Sequence, residues 1–324
     1  MISKAAVVGA GLMGTGIARH LSSQHIDVLV IDASLEQLEK ARGMEENKDL
    51  SFSNELKAIS DRDFVIEAVF EDLDVKLDVL KAISHIVGED CIVASNTSSL
   101  LIKDLAQSIE SPNRFIGVHY NNPADMNPVV EIIASELSDI SIAEGVHQWM
   151  NQANKLAIRC ADTPCFVLNR QSLPYINEAA RCLKIATPGE IDKIATTKLG
   201  VGLGPFAVMN LVGLPVMAAA SRHLAVLGEG YASAEQLQAQ QEPWEIDEPG
   251  EANKEVTSEV VRRLRGAMIF PGKDILDQNL CSRDDLHEIC VQALGYEKSS
   301  AEWLEILTPT VKDELISIYL NSCR

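Results

Sequence analysis

Gly9-Ala10-Gly11-Leu12-Met13-Gly14 constrains what this chain can fold into more than any other feature, because of what stands on either side of it. The short apolar run Lys4-Ala5-Ala6-Val7-Val8 leads into the glycines, and Thr15-Gly16-Ile17-Ala18-Arg19-His20-Leu21 follows with apolar residues at helical spacing. Asp27-Val28-Leu29-Val30-Ile31 is then a second strand ending in Asp32. Strand, glycine turn, helix, strand and acid within about 30 residues form the βαβ unit of a dinucleotide site. Gly9 permits the tight turn, Gly11 lets the backbone approach a pyrophosphate, and Gly14 lets helix and strand pack closely. The helix N-terminus, opened by Leu12 and Met13, offers N–H groups and a positive dipole end to the phosphates. Asp32 accepts hydrogen bonds from ribose hydroxyls and repels a 2′-phosphate, and neither Ala33 nor Ser34 supplies a compensating cation. NAD is therefore expected over NADP. An incidental glycine turn is the alternative, and it leaves the surrounding pattern unexplained.

The alternation continues with buried-strand runs at Asp63–Val69, Cys91–Ser95 and Arg114–His119, separated by helical stretches such as Val75–Ile86. The expected fold is α/β: a doubly wound, mostly parallel sheet followed by an all-α domain. Ligands of such sheets gather at the carboxyl ends of the strands, where Glu71, Ser98 and His119 stand. From Asn169 the pattern turns helical, which places an NAD-binding domain at 1–163 and a helical, substrate-closing domain at 164–324. Residues 169–240 and 256–324 faintly repeat one another. Thr187-Pro188-Gly189-Glu190-Ile191-Asp192 and Leu199-Gly200 echo Ser282-Arg283-Asp284-Asp285-Leu286-His287 and Leu294-Gly295, although chance likeness of two helix-turn-helix units gives the same pattern.

Charge narrows the partners. A net charge of −19 disfavours nucleic acid and anionic membrane surfaces. Part of it lies in Glu242, Glu245, Asp247, Glu248, Glu251, Glu255 and Glu259 against Lys254, which reads as a solvated linker and helix face. No stretch approaches the roughly 18 apolar residues of a spanning helix, and the N-terminus has no signal-peptide pattern, so a cytoplasmic location is expected. Seven scattered cysteines with no C-x-x-C pair read as reduced, structural thiols, and no metal site is expected.

At the strand ends the sequence resembles the L-3-hydroxyacyl-CoA dehydrogenase family. The matching stretches are Ile66–Asp72, Ser95–Leu100, Arg114–Pro123, Val129–Ile133, Asp162–Pro164, Phe166–Arg170 and Gly204–Phe206, in family order. The resemblance implies His119 as general base, with Glu131 holding and polarising it. It implies that Ser98 and Asn169 hydrogen-bond the reacting oxygen, and that Glu71, Lys76, Ser98 and Asn122 lie toward the nicotinamide end of the cofactor. On the residues alone, His119 could be structural, and Ser98 and Asn169 could be helix caps. Glu131 is more telling, since a carboxylate inside the apolar run Val129–Ile133 needs a buried partner.

The chain departs from the family in four places, one being that the family's late lysine-and-glycine segment of the helical domain is unrecognisable. Between Asp32 and Asp63 it lacks most of the helical excursion that grips CoA. Asn121 follows Tyr120 where an aromatic pair is usual, and Cys165 stands where glycine is usual. The implied reaction is NAD-linked oxidation of a 3-hydroxyacyl thioester, or its reverse. A free hydroxy acid, as in gulonate or carnitine dehydrogenases, is the alternative substrate, and a catalytically idle, crystallin-like NAD-binding protein is the non-enzymatic one. If 256–324 is a second helical copy, it covers within one chain the faces that single-copy members bury between subunits, and a monomer is expected over a homodimer.

Overall fold

The computed structural model describes residues 2–44, 50–248 and 253–324. Glu251 of the acidic stretch and part of the shortened interval after Asp32 therefore lie outside the described residues. The chain divides into two compact units, Met1–Asp162 and Thr163–Arg324.

The first unit holds one eight-stranded sheet. Its elements are β1 (Lys4–Val8), α1 (Leu12–Ser23), β2 (Asp27–Ile31), α2 (Leu35–Met44), β3 (Leu50–Ser53), β4 (Phe64–Glu67), α3 (Leu73–Ile86), β5 (Ile92–Ser95), α4 (Ile102–Leu105), β6 (Phe115–Tyr120), β7 (Val129–Ala134), α5 (Ile140–Gln152) and β8 (Leu156–Ala161). The strand order is β3-β2-β1-β4-β5-β6-β7-β8. Every pairing is parallel except β6 with β7. The order reverses between β1 and β4, the switch point at which such sheets open a crevice for a dinucleotide. The central strands read as continuous apolar runs because helices cover both faces. Val7, Val28, Val30, Phe64, Ile66, Ala94, Ile116 and Val118 are all buried in one core with α1 and α5.

Leu50–Ser53 reads in the sequence only as a quick passage to the next strand, yet it is the edge strand β3, parallel to β2. Four residues, of which only Leu50 is buried, are too short a signal for periodicity to separate from a loop.

The second unit is helical: α6 (Leu168–Arg181), α7 (Pro188–Ile194), α8 (Pro205–Val212), α9 (Leu214–Leu224), α10 (Glu235–Ala239), α11 (Lys254–Asp277), α12 (Arg283–Glu288), α13 (Ser300–Ile306) and α14 (Pro309–Ser322). Among the described residues no single helix is long and apolar enough to cross a membrane. Two stretches within this unit match in detail. Each has a proline-containing helix (Pro174 in α6, Pro271 in α11) and a short helix capped by a hydroxyl (Thr187, Ser282). Each short helix runs on into a five-residue π-helical turn, and a glycine with positive φ follows (Gly200, +68°; Gly295, +67°). The two glycine turns pair with each other: Val201 bridges Tyr296 antiparallel, Gly202 N–H donates to Gly295 O, and Glu297 N–H donates to Gly200 O. The matching residues thus face one another across a local pseudo-twofold.

The acidic residues Glu242, Glu245, Asp247, Glu248 and Glu255 are exposed, as a solvated linker requires, yet the segment is also held at one point. Asp247 accepts from Thr187 Oγ1 (2.9 Å) and Gly189 N–H (3.0 Å) at the start of α7, and these donors hold its carboxyl below the usual range. Trp244 exchanges two hydrogen bonds with the Asn210 side chain and meets Phe206 edge-on at 5.2 Å. A negative segment docks here because a helix N-terminus and an aromatic pocket await it.

Candidate active site

The glycine turn is shaped by backbone demands. Gly9 has φ +112°, and a Cβ there would lie 2.5 Å from Ala68 O. A Cβ on Gly14 would lie 1.8 Å from Gly9 O, so helix and turn meet with no room for a side chain. Gly11 differs. A Cβ there would meet no atom within 4 Å, which means the space it guards lies outside the protein's own packing. Gly11 is also the N-cap of α1 and lends the helix no side-chain cap. Leu12 beside it is exposed, and Met13 packs partly against the core. Asp32, half-buried at the end of β2, accepts from Ala10 N–H (2.9 Å) and Ser34 N–H (2.8 Å). An open cradle over a helix N-terminus, with a carboxylate ending the neighbouring strand, fits a dinucleotide: the first for its pyrophosphate, the second for its ribose.

The second part of the site comes from strand register. Antiparallel pairing of β6 and β7 puts His119 directly opposite Glu131, so both side chains leave the same face of the sheet as close neighbours. Nδ1 of His119 lies 2.6 Å from Glu131 Oε2, with both residues buried. The carboxylate thus fixes which ring nitrogen faces inward, a general-base arrangement. Tyr120, the next residue, points the other way. Its hydroxyl meets His20 Nδ1 at 3.0 Å and Met150 Sδ at 3.4 Å, so it belongs to the core and Asn121 is the more exposed of the pair.

Glu71 and Ser98 are joined. Glu71 Oε1 accepts from Thr97 Oγ1 (2.7 Å), Ser98 N–H (2.8 Å), Ser98 Oγ (3.2 Å), Ser99 N–H (2.9 Å) and Ser99 Oγ (2.8 Å). One carboxylate oxygen therefore organises the whole turn after β5. Burial alone would raise the Glu71 carboxyl, but the Lys76 ammonium and the donors of Thr97, Ser99 and Ser98 together hold it below the ordinary value. Ser98 does not cap α4; the cap position is Leu101, and Thr97 Oγ1 accepts from Leu100 N–H. Lys76 is 1% exposed, with Nζ between Glu67 (2.9 and 3.0 Å) and Glu71 (3.4 Å). It therefore stands beneath the site and braces Glu71. Asn122 is exposed in the turn after β6 and precedes a cis proline.

Asn169 lies in the second unit, half-buried in the first turn of α6, whose cap position is Val167. Before it come Cys165 and Phe166 with φ of +61° and +51°. A left-handed backbone at Cys165 is a physical reason for glycine at this position, and the buried thiol here bears that strain. Arg170 is anchored by Thr163, Tyr231 and Asp274 at 2.9, 3.1 and 2.5 Å, which holds the start of α6 in place.

Four supporting residues escaped the sequence reading. Glu67 and Ser95 join the Lys76 cluster, Asn96 Oδ1 accepts from Tyr120 N–H (2.9 Å) at the end of β6, and Cys160 Sγ lies 3.3 Å from Glu131 Oε1. A polar residue within each buried strand was the available signal, but its partner is not local. Among the described residues no group of three or more acidic, histidine or cysteine side chains could hold a metal ion.

Residues 4–163 match the family model "3-hydroxyacyl-CoA dehydrogenase, NAD binding domain", and residues 166–255 match "3-hydroxyacyl-CoA dehydrogenase, C-terminal domain". A 3-hydroxybutyryl-CoA dehydrogenase of Clostridioides difficile is 34% identical over 240 residues, which are 67% of this chain and 85% of the relative. The human mitochondrial hydroxyacyl-coenzyme A dehydrogenase is 31% identical over 242 residues, 66% of this chain and 77% of the relative. The crystal structure of an Escherichia coli 3-hydroxybutyryl-CoA dehydrogenase superposes with a TM-score of 0.84 over 100% of this chain and 96% of that one; at 20% identity it shows the fold alone.

Proposed function

The chain belongs to the 3-hydroxyacyl-CoA dehydrogenase family, and from that premise we propose which of its residues carry the reaction and on what substrate. It is an NAD-dependent oxidoreductase of the 3-hydroxyacyl-CoA dehydrogenase type, acting on a CH–OH group. NAD, when bound, supplies the acceptor for the hydride that leaves carbon 3 of the substrate.

His119 takes the hydroxyl proton. With Nδ1 held by Glu131, Nε2 is the nitrogen that receives it, and the Glu131 carboxylate stabilises the imidazolium that forms. Loss of a proton from oxygen and a hydride from carbon leaves a 3-oxo product. The Ser98 hydroxyl, whose single hydrogen turns from Glu71 Oε1 to the substrate, and the Asn169 amide donate to the reacting oxygen as charge grows on it. Glu71 acts by setting Ser98 and its turn, braced by Lys76. Gly9, Gly11 and Gly14, with Leu12 and Met13, hold the pyrophosphate; Asp32 takes the ribose, and Asn122 lies toward the nicotinamide. Residues 1–163 serve as the NAD-binding domain and 164–324 as the domain that closes on the substrate. The substrate is an acyl thioester. The observation that carries the reading is the buried His119–Glu131 pair at 2.6 Å, an expensive arrangement in a purely structural role.

Purified protein assayed with NAD and NADP against 3-hydroxyacyl thioesters and free hydroxy acids tests it. Turnover with NAD and thioesters is expected. Preference for free acids would move the substrate to the sugar-acid class, and equal turnover with NADP would remove Asp32's role.

The protein acts as a monomer, because α11 packs along α6 within one chain. Gln171 Nε2 donates to Met268 O (2.9 Å), and Arg263 pairs with the buried Glu178 (2.6 Å). Light scattering at micromolar concentration should return a single-chain mass.

A further inference from the structure

We propose that Cys160 is a positioning residue of the His119–Glu131 pair, its thiol orienting the carboxylate that orients the histidine. The inference rests on the catalytic reading of that pair. Glu131 lies in the middle of β7 with no exposed surface, and β8 runs parallel beside it with Cys160 opposite Ile133. Residues two apart on a strand share a face, so Glu131 and Ile133 point the same way and Cys160 is the diagonal neighbour of Glu131. Sγ lies 3.3 Å from Oε1, while Oε2 faces His119.

The register that makes this contact is anchored at both ends of β8. At the start, Lys155 Nζ donates to Ala124 O and Asn127 O at 2.8 and 2.7 Å. At the end, both Asp162 carboxylate oxygens accept from N–H groups opening α4, Ile102 and Lys103, each at 2.8 Å. Neither anchor leaves the strand free to slide, so the thiol stays where Oε1 is.

The choice of a thiol is physically informative. A buried carboxylate gains from donors on both oxygens. A thiol donates weakly. It limits rotation of the carboxylate while leaving its charge directed at His119, which must become cationic during the reaction. Cys182 and Cys290, in the second unit, are by contrast buried thiols pushed up to about 12 and about 11 by burial.

Cys160→Val keeps the volume and removes the donor, and Cys160→Ser restores a donor. Steady-state kinetics should show kcat about five- to tenfold lower in Cys160→Val with KM for NAD unchanged. Cys160→Ser should recover kcat to within about twofold to threefold. Melting temperature is measured on both. Unchanged kcat in a folded Cys160→Val overturns the proposal, and so does equal loss in both variants, since that marks a packing role. If Cys160→Val fails to fold, Cys160→Ala takes its place: lowered kcat beside a near-normal Cys160→Ser supports the proposal, and unchanged kcat overturns it. His119→Gln run alongside separates this outcome from failure of the pair itself. Activity retained without the histidine removes the catalytic reading, whereas its loss beside an unaffected Cys160→Val removes only the role of the thiol.

Discussion

The glycine turn between β1 and α1 and the His119–Glu131 pair between β6 and β7 both sit at the working edge of one sheet, yet they are built in opposite ways. The turn is made by leaving side chains out: Gly9 needs φ +112°, and Gly14 stands where a Cβ would be 1.8 Å from a carbonyl. The pair is made by side chains that only strand pairing brings together, twelve residues apart in the chain. The first is a requirement on single residues and their neighbours. The second is a requirement on register, and a slip of one residue in either strand would turn its group to the other face and part the two. Damage to the turn should therefore appear as lost stability and cofactor binding, and damage to the pair as lost chemistry on an intact fold.

The sharpest way to break that contrast is His119→Gln. Removing the base should lower kcat by about 10²–10⁴-fold while the dissociation constant for NAD, followed by titration, stays near its original value. A variant that loses both together would show that the pair also builds the cofactor site.

The next effect in size comes from the turn, where two glycines are expected to behave differently. Gly14→Ala forces helix and turn apart and should destabilise the protein by about 1–3 kcal/mol, seen as a melting temperature lower by several degrees together with weaker NAD binding. Gly11→Ala meets no protein atom. It should leave the melting temperature nearly unchanged and weaken NAD by about tenfold, since its methyl occupies the cofactor's side of the turn. Equal melting losses in both would erase the distinction between packing and binding glycines.

A smaller effect is expected at Glu71, which organises a third stretch of the same sheet edge, the turn after β5. Its carboxyl is held below the ordinary glutamate value in the folded protein by the Lys76 ammonium and the donors of the turn. A depressed folded value means that its stabilising contribution is present above the unfolded pKa and is lost as pH falls through the folded one. Glu71→Gln should therefore melt lower than the unmutated protein at neutral pH, and the gap should close as pH drops below about 4.5. A gap that persists in acid would assign the loss to packing of the amide instead of to the carboxylate charge.

The helical unit offers the same lesson at larger scale. Its two halves carry matching prolines, caps and glycine turns, and Val201 even bridges the matching Tyr296. At the helix positions that correspond through those prolines, however, Asn169 faces a counterpart in Gly266. A Cβ on Gly266 would lie 2.2 Å from Leu315 O, so α11 there packs tightly on α14. One half keeps a polar residue at this position, and the other has given it over to packing.

Much of this protein was decided within short stretches of chain. Strand, glycine turn, helix and terminal Asp32 are legible because each residue's role depends on its own backbone angle or on neighbours a few positions away. The alternating buried runs announce a covered parallel sheet for the same reason, and Glu131 is conspicuous as a carboxylate in an apolar strand. The family resemblance paired that carboxylate with His119, but the sequence left open that Glu71 spends an oxygen on three successive residues of the turn after β5, and that Leu50–Ser53 is an edge strand. It also left open that Tyr120 turns into the core and that a cysteine on β8 reaches Glu131. Those outcomes depend on which strands pair and in what register, and pairing energies are summed over contacts between residues far apart in the chain. Local pattern carries no record of that sum, so only the folded sheet decides it.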